Sequence, residues 1–217
     1  RRAPAIGLKQ TGVPIGGVVA ASTLALTTFL PWQTIMWLIA GATLCNALIC
    51  SKLVEIPKIV GRDRAGPLAG IIRLMRDRNF GILVIASGLF NMGQYNFFTY
   101  LTSFMRDAVQ ASQEIASLTL GLAQASSAVG RIGWGALSDT VFKGRRKGLT
   151  ALICLAAAVF FVTMSAVGSV WGAVAGIVIA MLLGLTIASW ASLMQTMAIE
   201  SVAPEHSGSS IGYTTIG

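Results

Sequence analysis

Six long apolar runs constrain the fold of this chain more than any other feature of its sequence. They occupy residues 12–30, 35–53, 80–104, 115–137, 149–168 and 170–199, and each is nearly free of charged side chains. About 20 residues of α-helix, rising about 1.5 Å each, cover a hydrocarbon core about 30 Å thick. The runs do not alternate apolar and polar residues, as the strands of a transmembrane barrel do. They therefore predict an all-α membrane protein with six transmembrane helices.

Charge and cysteine usage agree with a membrane protein. Only 11% of the 217 residues are charged, yet the net charge is +8, which is untypical of a soluble domain. Cys45, Cys50 and Cys154 lie within apolar runs, and their odd number argues against a disulfide framework. They lack the histidines and carboxylates that a metal site needs, so we predict neither a metal nor a cofactor. Because the chain does not begin with Met, we expect a fragment of a longer protein.

Basic residues give the orientation of the runs. They cluster in three segments, 1–9, 52–78 and 131–147, with Arg106 as the exception. Short loops rich in Lys and Arg stay on the cytoplasmic side. We therefore expect a multi-pass protein of the plasma (inner) membrane with both ends of this chain cytoplasmic. The same topology accounts for the basic residues without nucleic-acid binding, for which no groove-binding pattern is present.

The stretch 130–147, GRIGWGALSDTVFKGRRK, is the most informative loop. Its small residues let a neighbouring helix approach closely. Asp139 ends the apolar segment and can pair either with the basic cluster after it or with a helix N-terminus. The positive-inside rule explains the basic residues of this loop but not their order.

That order resembles the signature loop of the major facilitator superfamily, G-R-x-x-x-G-x-L-[SA]-D followed by R-[RK]. The matching residues are Gly130, Arg131, Gly135, Leu137, Ser138, Asp139, Arg145 and Arg146, which the resemblance implies form a cytoplasmic gate. Thr140 departs from the family, which often has a basic residue there. The resemblance implies the fifth to tenth helices of a two-bundle fold and the start of the eleventh. Residues 1–54 would end the N-terminal bundle, 55–78 would be a cytoplasmic basic linker, and 79–217 would begin the C-terminal bundle.

Four small or rigid residues open the first run and look like the start of the fifth helix in this family. They are Gly12, Pro14, Gly16 and Gly17. Pro costs little near a helix start, and glycines allow close packing. We expect these residues to pack against a neighbouring helix.

Polar and aromatic residues interrupt the third run and recur more sparsely in the fourth and sixth. Amides at the depth of the hydrocarbon face the bundle interior or a wet cavity. Either role fits a single amide, and the cluster in the third run favours a cavity; Trp190 could equally face lipid. We expect Ser126 and Ser127 to bond back to their own helix. The predicted cavity residues are Asn91, Gln94, Tyr95, Asn96, Phe98, Gln124, Trp190 and Gln195.

The resemblance implies a secondary active transporter that moves a small organic solute by alternating access. Its partners would be that solute, protons as a candidate coupling ion, the lipid bilayer and the missing helices of the same chain. All eight acidic residues lie in loops or at run ends, and we expect no buried charge within the runs. Amide hydrogen bonds and stacking would then hold the solute. Asp139 would act as a latch beside residues 5–10, the cytoplasmic start of the fifth helix.

Other functions fit the sequence less well. An enzyme would need a nucleophile with a base, but the single histidine, His206, has only its loop neighbour Glu205 beside it. We therefore predict no catalytic residues. A non-transporting sensor or scaffold on the same fold, or a non-functional truncated fragment, are the alternatives to a transporter. The substrate, the direction of transport, the coupling ion and the oligomeric state are not encoded in any recognisable motif.

Overall fold

The structure is a computed structural model that describes residues 2–27, 29–52, 77–167, 169–201 and 211–212. All regular elements in these residues are helical, which confirms the all-α prediction. The helices are α1 (Arg2–Gln10), α2 (Gly12–Leu26), α3 (Trp32–Cys50), α4 (Arg78–Asp107), α5 (Gln113–Thr140), α6 (Arg146–Ala166), α7 (Gly172–Leu185) and α8 (Ala191–Glu200), with a 3₁₀ turn at Ser169–Trp171. The predicted linker and the predicted start of the eleventh helix lie outside the described residues, apart from 77–78 and 211–212.

Local sequence signals explain where the long helices begin. The side chain of Asp77 accepts a hydrogen bond from the backbone N–H of Asn79 at 2.9 Å, at the start of α4. Ser112 accepts one from the N–H of Ile115 at 3.3 Å, at the start of α5. Both side chains satisfy N–H groups that have no partner within the helix. The turn between α5 and α6 passes through Gly144, whose φ of +80° suits a residue without a Cβ.

Helix α5 is the centre of the described fold, because α1, α2, α4, α7 and α8 all contact it. Helices α1 and α2 run antiparallel along it, separated from each other only by Thr11. A Cβ on Gly7 would lie 2.5 Å from the carbonyl oxygen of Arg131, and one on Gly17 would overlap the side chain of Gln124. Small residues therefore bring the α1–α2 backbone against α5 at both places.

Helix α7 packs beside α5 in the same way, but parallel to it. A Cβ on Gly184 would collide with the carbonyl oxygen of Ala123, and one on Gly130 would meet the side chain of Ser189 at 2.8 Å. The hydrophobic core fills the space between these two helices, α4 and α8. Its largest members include Phe90, Phe97, Leu101, Met105, Leu183 and Trp190.

Helix α3 packs little against the described fold, since Ile35 is the one buried residue among its 19. Among the described helices, α3 and α6 are long and apolar enough, judged by length and composition, to cross a membrane. The apolar surface of α3 thus lies outside the core that surrounds α5.

The sixth apolar run was predicted as one helix, but the structure divides it into α7 and α8 with a turn at 186–190. The hydroxyl of Thr186 donates to the carbonyl of Leu182 at 2.8 Å, and the hydroxyl of Ser189 donates to the carbonyl of Leu185. Hydroxyls that bond nearby carbonyls compete with the helical pattern, although the same bonds at Thr119 and Thr150 lie within unbroken helices. The run contains further polar residues, Ser192, Gln195 and Thr196, and no proline, so its composition did not mark residues 186–190 as the break.

Candidate gate around the helix break

Three side chains of α5 cap the carbonyl groups that the α7–α8 break leaves without helical partners. The hydroxyl of Ser127 donates to the carbonyl of Ala188 at 2.8 Å, and Nη2 of Arg131 donates to the same oxygen at 3.0 Å. Nε1 of Trp134 donates to the carbonyl of Leu185 at 2.6 Å. The spacing of four and then three residues places all three donors on one face of α5. The break is therefore held by α5 and is a built feature of the fold.

Arg131 also reaches across to the end of α1. Its Nη1 donates to the backbone oxygen of Gln10 at 3.1 Å and to Oε1 of Gln10 at 3.2 Å. Gln10 in turn donates through Nε2 to Oε1 of Gln195 in α8 at 2.5 Å. These bonds join α1, α5, α8 and the break in one network, which we call the Arg131 network.

The environment of Arg131 is neutral. Only 3% of the residue is exposed, and each of its acceptors in the described residues is an amide or carbonyl oxygen. The backbone oxygen of Gln10 is the last of α1 and carries part of the negative end of that helix dipole, whereas Ala188 lies in the turn between α7 and α8. Nε of Arg131 is buried and has no hydrogen-bond partner in the described residues.

A second buried arginine, Arg146, has two carboxylates instead. Its Nη2 lies 2.8 Å from Oδ1 of Asp139 at the end of α5, and its Nη1 pairs with Oε2 of Glu200 at the end of α8. Only 8% of the Arg146 side chain is exposed. We call these three residues the Arg146 cluster. It joins the ends of α5, α6 and α8, and Asp139 pairs with the basic cluster, which was one of its two predicted partners.

The predicted gate residues thus divide between these two sites. Gly130 is buried against the break, and Gly135 is buried in α5, whereas Arg145 is exposed. We expected Asp139 to lie beside residues 5–10. In the structure Arg131 contacts this segment, at Gln10. Within the described part of the chain, Asp139 has Arg146 as its partner.

Two of the four predicted packing residues of α2 are packed and two are exposed. Gly17 lies against Gln124, and Pro14 is fully buried. Gly12 and Gly16 are exposed, and a Cβ on either would meet no atom within 4 Å. Gly7, which the sequence prediction missed, makes the closest backbone contact of this segment with α5.

The predicted cavity residues are not brought to one place. Nε1 of Trp190 donates to Oε1 of Gln94 at 2.8 Å, and Phe90 stacks on the Trp190 ring with centroids 5.6 Å apart. Trp190 is therefore buried, and the interpretation that it faces lipid is wrong. Gln124 lies against α2, and Gln195 pairs with Gln10.

The other predicted cavity residues lie on more exposed parts of α4. Tyr95 is 68% exposed, and Asn96 is exposed and donates to the carbonyl of Met92 at 2.8 Å. Asn91 and Phe98 are half-buried. A mainly apolar pocket of about 310 Å³ lies between α4 and α6. Its lining includes Asn96 but none of the other predicted residues; it consists of Asn96, Phe97, Tyr100, Leu101, Phe104, Phe161, Met164 and Ser165.

Two further predictions were wrong. Ser127 was expected to bond its own helix, but its hydroxyl reaches the break across the helix interface. The expectation of no buried charge within the runs fails at Arg131, which lies inside the fourth run. The sequence shows that Arg131 lies within residues 115–137. The resemblance to the signature loop accounts for an arginine at this position, but it does not indicate that the side chain is buried.

The family of the chain follows from its match to a family model. The model described as Major Facilitator Superfamily matches residues 1–217, the whole chain. The chain belongs to the major facilitator superfamily. It is accordingly a multi-pass membrane protein of a transporter family. A search of curated proteins gave no match. In this major facilitator protein, both arginines, Arg131 and Arg146, lie within the signature stretch that suggested the family.

Proposed function

We propose that this major facilitator protein moves a small organic solute across the plasma membrane by alternating access. Residues 1–54 would belong to one bundle and residues 79–217 to the other. The observation that supports this most is the contact of α1 with α5 and α8 through the Arg131 network. It joins the two proposed bundles at the end that carries the basic loop, which by the positive-inside rule would be the cytoplasmic end.

The strength of this contact suits a gate that opens. Three side chains, Arg131, Gln10 and Gln195, carry the hydrogen bonds of the network that joins the bundles. A hydrogen bond contributes about 0.5–1.5 kcal/mol net, and one to a charged group about 1.5–3 kcal/mol. A contact of a few kcal/mol can hold one state and still release it, as a two-state equilibrium requires.

The Arg146 cluster has a different part in this proposal. Its three members all lie within the second bundle, at the ends of α5, α6 and α8. It would hold these ends together, so that α5 and α8 move away from α1 together, as one rigid body. Asp139 would thus act as a latch by positioning the end of α5, without touching α1 itself.

The polar pair beside the break is the proposed place of solute contact. Gln94 and Trp190 are bonded to each other, and Phe90 stacks on the indole ring. If the solute replaces this bond, the amide of Gln94, the indole N–H and the aromatic rings can orient it by hydrogen bonding and stacking. Asn91 and Tyr95 share the α4 face on which a solute from the other bundle's side would arrive.

Solute uptake into proteoliposomes tests the proposal with a mixture of candidate substrates. Vesicles that contain the full-length protein are incubated with many small metabolites at once, and the retained solutes are identified by mass spectrometry. The variant with Gln10→Cys and Gln195→Cys is compared before and after oxidation. We expect retained solute with the reduced protein, loss of uptake after disulfide formation, and recovery with a reducing agent.

A second disulfide provides the control. Ser127→Cys with Ala188→Cys joins α5 to the break inside one proposed bundle, where the hydroxyl of Ser127 lies 2.8 Å from the backbone oxygen of Ala188. Because that bundle would move as a unit, oxidation of this cysteine pair should leave solute uptake unchanged. Absence of any retained solute would contradict transport. Equal uptake by the oxidised and reduced Gln10/Gln195 variant would contradict the gate.

A further inference from the structure

Arg131 is a buried cation, and no carboxylate in the part of the chain that the structure describes pairs with it. Its partners there are the backbone and side-chain oxygens of Gln10 and the backbone oxygen of Ala188. The described ion pairs are those of Arg146. Buried charges in proteins are ordinarily paired, because removing an ion from water without a counter-ion is costly.

The acidic residues of the described helices lie elsewhere. Asp139 is eight residues further along α5, about 12 Å at about 1.5 Å per residue, and is bonded to Arg146. Glu200 is bonded to the same arginine. Glu114 lies in the first turn of α5, and about 25 Å of helix separates it from Arg131. Asp77 and Asp107 are at the two ends of α4.

The carbonyl groups of the break can be capped without a charged side chain. Ser127 and Trp134 cap carbonyls of the same break with neutral donors. A guanidinium adds a full positive charge and a planar set of donors that matches a carboxylate with two parallel hydrogen bonds. One of those donors, Nε–H, is buried and unused in the described residues.

We propose that Arg131 is an anion subsite of the transporter and that the solute carries a carboxylate. This inference rests on the transport function proposed above. The carboxylate would bind Nε–H and Nη1 of Arg131 after Gln10 leaves, and its organic part would lie toward Trp190, two residues beyond the capped Ala188. Gln10 and the solute then compete for Nη1, so closing the cytoplasmic contact weakens the hold on the solute.

Matched pairs of carboxylates and amides test this subsite. The melting temperature of the full-length protein in detergent is measured with lactate and lactamide, succinate and succinamide, and benzoate and benzamide. We expect at least one carboxylate to raise the melting temperature while its amide does not. Arg131→Gln should weaken the binding of that carboxylate about 10- to 100-fold, the loss of affinity expected when a hydrogen bond to a charged group is removed. Arg131→Lys should retain part of the affinity.

Two further variants separate an anion subsite from a merely structural arginine. Arg106→Gln makes the same substitution in the last turn of α4 and should leave the carboxylate effect unchanged. Gln10→Glu places an internal carboxylate beside Arg131 and should abolish the effect while raising the melting temperature of the unliganded protein. This variant decides the question if Arg131→Gln does not fold.

The outcomes also distinguish this inference from the proposed transport. The anion subsite is overturned if no carboxylate of the panel acts selectively, if amides act equally, or if the effect persists in Gln10→Glu. Retention of only uncharged solutes in the proteoliposomes would overturn the subsite and leave the transporter standing. A selective carboxylate effect without any uptake would support the subsite and contradict transport.

Discussion

Arg131 and Arg146 lie 15 residues apart on successive helices, and both are buried, but their partners differ in kind. Arg146 binds two carboxylates at the ends of helices within one proposed bundle. Arg131 binds neutral oxygens, some of which belong to α1 in the other proposed bundle. A buried ion pair is costly to separate, whereas a hydrogen bond to an amide oxygen can be exchanged for another. The comparison suggests that Arg146 maintains a structure and Arg131 changes partners.

The largest effect should come from Arg146→Gln. The substitution leaves Asp139 and Glu200 without their cation at the ends of α5 and α8. Breaking a buried ion pair costs about 3–5 kcal/mol, and we expect about 3 kcal/mol because Glu200 is 40% exposed. The measurement is the free energy of unfolding of the full-length protein in mixed micelles.

Arg145→Gln is the matched control for this prediction. Arg145 precedes Arg146 and is exposed, so its loss should change the free energy of unfolding by about 0.5 kcal/mol or less. Equal destabilisation by both variants would remove the distinction between a paired arginine and a surface arginine.

Gly7→Ala tests the Arg131 side of the comparison through the backbone. The added methyl group would lie 2.5 Å from the carbonyl oxygen of Arg131, so α1 must move away from α5. Overpacking costs about 1–3 kcal/mol, and here the cost falls on the contact between α1 and α5 that we propose closes the cytoplasmic side. We expect faster alkylation of a cysteine placed at Gln10, measured with a membrane-permeant maleimide.

Gly12→Ala serves as the control, since a Cβ there would meet no atom within 4 Å. It should leave the alkylation rate unchanged and stabilise the helix by up to about 1 kcal/mol. If Gly7→Ala and Gly12→Ala behave alike, close packing of α1 on α5 does not control the gate.

Asp139→Asn weakens the Arg146 cluster by one charge but keeps an oxygen as acceptor. We expect a loss of about 1–2 kcal/mol, within the range for a hydrogen bond to a charged group. Solute uptake in proteoliposomes should fall, while membrane insertion and solute binding remain. Normal uptake rates in this variant would show that the Arg146 cluster has no part in the transport cycle.

Ser127→Ala should have the smallest effect. It removes one hydrogen bond to the carbonyl of Ala188, which still accepts from Arg131. We expect about 0.5–1.5 kcal/mol of destabilisation in the same unfolding measurement. A loss well above 2 kcal/mol would mean that Ser127, and not Arg131, is the main support of the break.

The sequence predicted the helical class because long apolar runs have few other solutions in a membrane. It also predicted the neighbourhood of residues 5–10 and the signature stretch, through the resemblance to a known family. It missed the α7–α8 break, because no proline marks it and hydroxyl residues such as Thr119 and Thr150 also lie within unbroken helices. It also missed the pairing of Gln10 with Gln195, which lie 185 residues apart and meet only through packing on α5.

The most direct test of the account is the distance between spin labels at Lys9 and Ser201, near the ends of α1 and α8. Both positions are exposed, and a label at Val141 paired with Ser201 provides a distance within one proposed bundle. In the full-length protein in nanodiscs, we predict two populations for the first pair, with Arg131→Gln favouring the longer distance, and one population for the second pair. A single distance for Lys9 and Ser201 that Arg131→Gln leaves unchanged would contradict a gate held by Arg131.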